Sequence, residues 1–336
     1  MLLALLALGT ACVPAERGRT LQLVAFGTVV EIRMFGVSRD AANAAGEALQ
    51  AEYRRIDADW YPWPKPGQAP PGELRRLNQA IAARQPFTVS ADLAALIRRA
   101  AQLEQASSGR FNPAIGAATE LWGFADATTL PASPPDPALL AALPLAQMTT
   151  RQLHWTGDTL RSDSSAVMLD LGGIAKGAIL ELSAASLREH GVSNAIVDIG
   201  GDLIVLGKVG KRAARIGIRS PLSDGVVGWL EVADGETVVT SGDYERYFEY
   251  GGRRYQHILD PRTGIPVSHT RSVTVVDRDP LLADAAATAL VVAGPAEFAA
   301  VCRELQVQQA LLISAAGDLR LTAGMRKRVN WSERPD

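Results

Sequence analysis

Cysteine is nearly absent from this chain. Cys12 and Cys302 are the only two among 336 residues, so no disulfide framework is available. Histidine is also scarce, with four residues, and neither sign of charge dominates: 34 Lys and Arg face 36 Asp and Glu, a net charge of −2. The lack of a basic excess argues against a nucleic-acid partner, whose phosphates demand one. No heptads persist and no solenoid-type repeat is visible, which excludes coiled coils and repeat arrays. What is present is an ordinary globular balance, 47% hydrophobic and 21% charged, which excludes a disordered chain.

Residues 2–8, LLALLAL, form an apolar run followed by Gly9-Thr10-Ala11-Cys12 and a polar stretch. The run falls short of the about 20 residues that span a bilayer. It reads as an export leader, with Cys12 as a lipid-attached N-terminus. Simple cleavage and a buried first element are the alternatives. Residues 1–18 are therefore set apart as leader and linker, and 19–330 as one domain, with room for two lobes. The product is expected on the periplasmic side of the inner membrane.

Alternating, β-branched residues predict a strand pair over 20–35. Ala42, Ala45, Leu49, Tyr53 and Ile56 share one face of a helix over 40–57. Pro-rich stretches at 60–72 and 126–138 predict surface loops. Further helices are expected over 91–107, 174–190 and 281–293, the last of them apolar. Strands are expected over 194–206 around a Gly-Gly turn, at 213–219, 226–233, 237–240 and 271–277, and in a closing hairpin at 310–314 and 318–322. This mixture predicts an α/β (α+β) fold, with helices layered on mixed, largely antiparallel sheets.

Four polar clusters interrupt these elements. In LDLGGIAKG (169–177) an acid ends a strand, glycines turn, and Lys176 opens a helix against the dipole preference. That pattern fits a phosphate site; a tight turn with Asp170 as helix cap fits equally. Asp198 and Asp202 bracket a Gly-Gly turn, which reads first as a hairpin. His257 precedes the rigid turn Asp260-Pro261-Arg262-Thr263-Gly264 and is either structural or a proton carrier. Asp284 and Thr288 sit i,i+4 on the apolar helix, so their oxygens share a face. Such hard oxygens suit Mg²⁺, while Asp284 near Pro280 also suits a helix start.

Taken together with Gly27-Thr28, Leu77-Asn78, GRFNPAIG (109–116), LWGF (121–124), DIGGD (198–202), TSGDYER (240–246), HILDPRTGIPV (257–267) and ADAAATAL (283–290), these segments resemble the FAD:protein FMN transferases, the ApbE family. The resemblance runs from about residue 24 to 324. It implies an enzyme that splits the FAD pyrophosphate, joins FMN through its phosphate to a Ser or Thr hydroxyl of a target flavoprotein, often a subunit of a membrane electron-transfer complex, and releases AMP. It also implies Mg²⁺ on the Gly173 carbonyl, Asp284 and Thr288, and FAD contacts from Phe26, Tyr61, Arg110, Phe111, Asn112, Asp170, Lys176 and Ile258. His257 is the candidate base and Asp284 the second catalytic residue. The chain departs from the family pattern in four places. Phe26 stands where Met is frequent, Asn112 where Asp is usual, Asp59 where Ser is usual, and Ala287 where some relatives carry a second carboxylate. Trp60 or Trp63 could serve in place of Tyr61. An FAD pyrophosphatase and a non-catalytic flavin-binding lipoprotein are the alternative functions.

Overall fold

Period-2 alternation decides which residues of the strands meet which layer. In the computed structural model, which describes residues 18–64, 69–125 and 129–332, eight strands form one sheet. Their spatial order is Arg19–Ala25, Thr28–Met34, Ala195–Ile199, Asp202–Leu206, Thr237–Gly242, Thr270–Asp277, Ala310–Ser314 and Leu319–Leu321. Every neighbouring pair is antiparallel. The predicted mixed α/β class with a largely antiparallel sheet is therefore what the chain adopts. The leader and Cys12 lie outside the described residues.

The central strands are buried on both faces, which explains their nearly continuous apolar runs. Val197, Ile199, Ile204, Val239, Val273 and Leu312 point into a core shared with helices. Ile196, Leu203, Val205, Val238, Leu311 and Ile313 point the other way, onto a small sheet of Ala214–Arg219, Val226–Val232 and Asn330–Trp331. Helices, large sheet and small sheet thus stack as layers. A third cluster, around Trp122, Phe124, Met148, Phe248 and Leu259, lies apart from both.

The helix Arg39–Asp59 buries Ala42, Ala45, Leu49, Tyr53 and Ile56, the expected face, and Ser38 Oγ caps it by accepting the Ala41 amide at 3.2 Å. Sequence reading missed the helix Glu73–Ala82, whose Arg pair masks a stripe of Leu74, Leu77 and Ile81. It also stopped the apolar helix too early. That helix runs Pro280–Glu304, with a break at Gly294 (φ 63°) followed by Pro295. Its length and apolarity match those of a membrane span, yet most of it is buried against the large sheet. Cys302, in an apolar helical pattern (VCREL) that reads as core, is buried.

Candidate active site

One cavity of about 1600 Å³ opens at an end of the large sheet, between the helical layer and the small sheet. Phe26, Tyr61, Arg110, Phe111, Asn112, Asp170, Gly173, Lys176, His257, Ile258, Asp284 and Thr288 all line it, so every predicted site residue converges there. Trp60 and Trp63, the alternatives to Tyr61, line it as well.

Its most constrained wall joins two segments about a hundred residues apart in sequence. The helices Ala175–Glu189 and Pro280–Glu304 cross at Gly177 so closely that a side chain there would meet the Pro280 carbonyl oxygen at 2.3 Å. That contact brings the Gly177 amide within 2.9 Å of Asp284 Oδ2, to which it donates. Gly173 is less tightly confined: a Cβ there would lie 3.2 Å from Thr288 Oγ1 and 3.3 Å from the Phe111 ring. Asp284, at 2% exposed, has its carboxyl pushed up to about 7 by burial, against the pull of Lys176.

Lys176 Nζ lies 2.5 Å from Asp202 Oδ2. Burial works against its charge, but Asp202, Glu245 and Asp284 hold it protonated, above the ordinary lysine range. The reading of DIGGD as a plain hairpin is half right. Asp198 Oδ1 accepts the Gly201 amide at 2.8 Å and shapes the turn, while Asp202 is the buried partner of Lys176. Asp170 is not the helix cap. Its Oδ1 accepts the Gly172 amide at 3.0 Å, and burial raises its pKa. The backbone on its N-terminal side is clamped by Asn78, which donates to Leu169 O at 2.9 Å and accepts from Leu169 N at 2.8 Å. The Leu77-Asn78 motif therefore acts by fixing the glycine loop.

His257 stacks edge-on to Phe124 and places Nδ1 3.2 Å from the Arg246 carbonyl oxygen. A carbonyl only accepts, so Nδ1 carries the proton and Nε2 keeps its lone pair. Burial and the Arg246 charge push this imidazole down to about 4, so it is neutral at ordinary pH. Asp260 is engaged elsewhere: Arg262 grips it through Nε and Nη2, both at 2.9 Å.

Phe26 turns the first hairpin at φ 57°, an unusual conformation for a bulky residue, with its ring edge-on to Tyr53. Tyr61 Oη donates to Ala125 O at 3.2 Å. Arg110 is held by Glu297 at 3.1 Å and Glu304 at 3.3 Å. Asn112 donates to Met148 O at 2.9 Å and accepts the Ala114 amide at 2.8 Å. An ionised Asp could not make the first of these bonds, which accounts for Asn at this place. Glu245 and Arg246 also line the cavity, and burial pushes Glu245 up to about 7. Both stood in the TSGDYER motif without a role. Their signal was three charged residues at the end of an apolar strand.

Comparison with known proteins follows the same outline. The ApbE family profile matches residues 26–319. An FAD:protein FMN transferase of Rhodobacter capsulatus is 41% identical over 308 residues, covering 92% of this chain and 58% of the relative. The chain thus spans little more than half the length of that protein. One of Treponema pallidum is 38% identical over 277 residues, 76% of this chain and 74% of the relative. Among solved structures, the ApbE protein of Thermotoga maritima superposes with a TM-score of 0.83 at 27% identity, over 94% of this chain and 100% of that one. The apo flavinyl transferase ApbE of Pseudomonas stutzeri gives 0.80 at 26% identity, over 93% and 97%.

Proposed function

The chain belongs to the ApbE family, and on that footing we propose that it is a magnesium-dependent FAD:protein FMN transferase. The observation that carries this reading is the buried Asp284, held by the Gly177 amide on the wall of a cavity that Lys176, Thr288 and Gly173 share. The cavity exceeds the roughly 300–1,000 Å³ of ordinary small-ligand pockets, which suits a dinucleotide together with an incoming protein segment.

The residues fit a magnesium ion. Asp284, Thr288 and the Gly173 carbonyl are hard oxygen donors, and with Lys176 committed to Asp202 the buried Asp284 carboxyl still favours a cation beside it. Ala287 is fully buried and offers no donor. Among the described residues no cage of three acid, His or Cys side chains forms. Mg²⁺ commonly fills its remaining positions with water and substrate phosphate. When bound, the ion would neutralise charge developing on the pyrophosphate.

In the transfer, the acceptor hydroxyl oxygen bonds to the phosphorus on the FMN side. The P–O bond to the adenylate breaks, and AMP leaves with the electron pair. Such chemistry asks the protein for positioning and electrostatics. Lys176 presents a fixed positive charge to the phosphates. We read the neutral His257, whose Nδ1 faces the Arg246 carbonyl, as the group that takes the hydroxyl proton through Nε2. Phe26, Tyr61 and Phe111 offer apolar and aromatic walls to the dinucleotide's rings. The acceptor is a flavoprotein carrying a Ser or Thr, such as a membrane electron-transfer subunit. Export and a lipid anchor at Cys12 would place the enzyme beside it.

The test combines purified chain, FAD, MgCl₂ and a separately purified acceptor domain, following AMP release and the mass of FMN on the acceptor. Transfer that needs both magnesium and Asp284, as judged by Asp284→Ala, supports the reading. AMP and free FMN without labelling, across several acceptor domains, point to a pyrophosphatase. FAD binding with no AMP at all leaves a flavin-binding protein.

A further inference from the structure

Lys176 sits in the first turn of its helix, where the dipole repels a cation and where no acidic residue or side-chain cap offsets it. Something else must fix that ammonium. Its side chain is 26% exposed and lines the cavity, whereas its ion-pair partner Asp202 is 1% exposed and sealed beneath the wall. The orientation of Asp202 is set from behind: its Oδ1 accepts the Thr240 amide at 2.9 Å, which ties it to the neighbouring strand. Oδ2 is left to face Lys176. The lysine also feels Glu245 and Asp284, and Asp284 keeps one oxygen on the Gly177 amide. An ammonium released from Asp202 would find in Asp284 the carboxylate that a divalent cation requires.

We propose that Asp202 is a positioning residue that holds Lys176 off Asp284, so that Asp284 stays open to a divalent cation while Lys176 faces the dinucleotide phosphates. This rests on the reading of Asp284 as a cation ligand. Asp202 lies outside the cavity lining and acts on the site chiefly by fixing Lys176, beside a direct electrostatic push on Asp284. The arrangement separates two tasks that neighbouring charges would otherwise cancel. One acid is committed to the lysine by a backbone amide, and the other is committed to the cation site by a different amide. Both amides come from elements that Gly177 and the sheet hold in register.

Asp202→Asn keeps the shape and can still accept the Thr240 amide, but removes the charge. Mn²⁺ binding to the full chain, read by the loss of the free-ion electron paramagnetic resonance signal, reports the cation site without turnover. It is measured alone and with ADP, whose pyrophosphate stands in for that of the dinucleotide. Circular dichroism confirms that each variant is folded. The expected result is Mn²⁺ affinity about tenfold lower in Asp202→Asn, with most of the loss recovered when Lys176→Met is added to the same chain. Recovery that exceeds the gain Lys176→Met gives in the parent chain is the decisive arm, because removing an ammonium near Asp284 strengthens cation binding in any background, and a merely structural role for Asp202 predicts no more than that common gain. Unchanged affinity in Asp202→Asn, or a loss that Lys176→Met repairs by no more than that common gain, overturns the proposal while leaving the cation site intact. A wild-type chain that binds no Mn²⁺ under either condition refutes the cation site itself, and the proposal with it.

Discussion

Gly177→Ala sets two effects of opposite sign against each other. An alanine in place of a helical glycine ordinarily stabilises by up to about 1 kcal/mol. Here the new methyl group would stand 2.3 Å from the Pro280 carbonyl oxygen and 3.0 Å from Leu281 Cα, both backbone atoms of the crossing helix. A backbone cannot swing aside as a side-chain tip can, so the two helices must part by about 1 Å at their closest point. Overpacking of this kind costs about 3 kcal/mol, and the net destabilisation is then about 2 kcal/mol. For a domain of this size that lowers Tm by about 3 °C. Activity should suffer far more. The displaced amide is the one that donates to Asp284 Oδ2, and a shift of about 1 Å at a reacting centre can cost about a hundredfold in rate. Urea unfolding and FMN transfer on the same preparation separate the two. A Gly177→Ala protein as stable as the parent, with transfer intact, would falsify the claim that this crossing sets the position of Asp284.

Three further outcomes follow from the geometry. Asn78→Ala leaves the amide and carbonyl of Leu169 unpaired in a buried place, and should cost about 3 kcal/mol in chemical denaturation; a loss below about 1 kcal/mol would sink the clamp reading. Asn112→Asp sets a carboxylate against the Met148 carbonyl, so it should destabilise by about 1–3 kcal/mol; a neutral or stabilising result would show that this bond is dispensable. His257 is depressed to about 4 in the folded chain from an ordinary 6.5, so the unfolded chain binds the extra proton in between. Stability from this group is complete above about 6.5 and is lost as pH falls toward 4. His257→Gln should therefore flatten the acid side of the stability profile between those values, and identical profiles would contradict the assignment.

Much of the fold could be read from period and punctuation. The face of Arg39–Asp59 was visible because five apolar residues recur at helical spacing, and the Asp198–Asp202 hairpin because two glycines interrupt an apolar run. Glu73–Ala82 escaped because its exposed arginines dilute a three-residue stripe and a Pro-rich loop runs straight into it. The apolar helical pattern around Cys302 was legible, but its continuity with 281–293 escaped because Gly-Pro reads as an end, whereas the chain uses it as a bend and resumes. The candidate site was legible as residue types but not as pairings. Nothing local says that Lys176 pairs with Asp202 rather than with Asp284, because that choice is made by the register of two strands and by the Thr240 amide behind the acid.

The same limit explains why the glycines of LDLGGIAKG fitted a phosphate cradle and a tight strand–helix turn equally well. Glycine at a ligand and glycine at a helix crossing leave the same trace in a sequence, since both only require the absence of a Cβ. Gly177 serves the crossing, with the Pro280 carbonyl above it, and so it acts on the site through Asp284 rather than by touching a phosphate. Gly173 is confined by Thr288 and Phe111, so the loop is shaped as much by the helix that carries the hydroxyl as by anything it would bind. The i,i+4 pair of Asp284 and Thr288 and the glycine pattern at 172–177 are therefore one feature seen from two places in the chain. A substitution in either should be judged by what it does to the other.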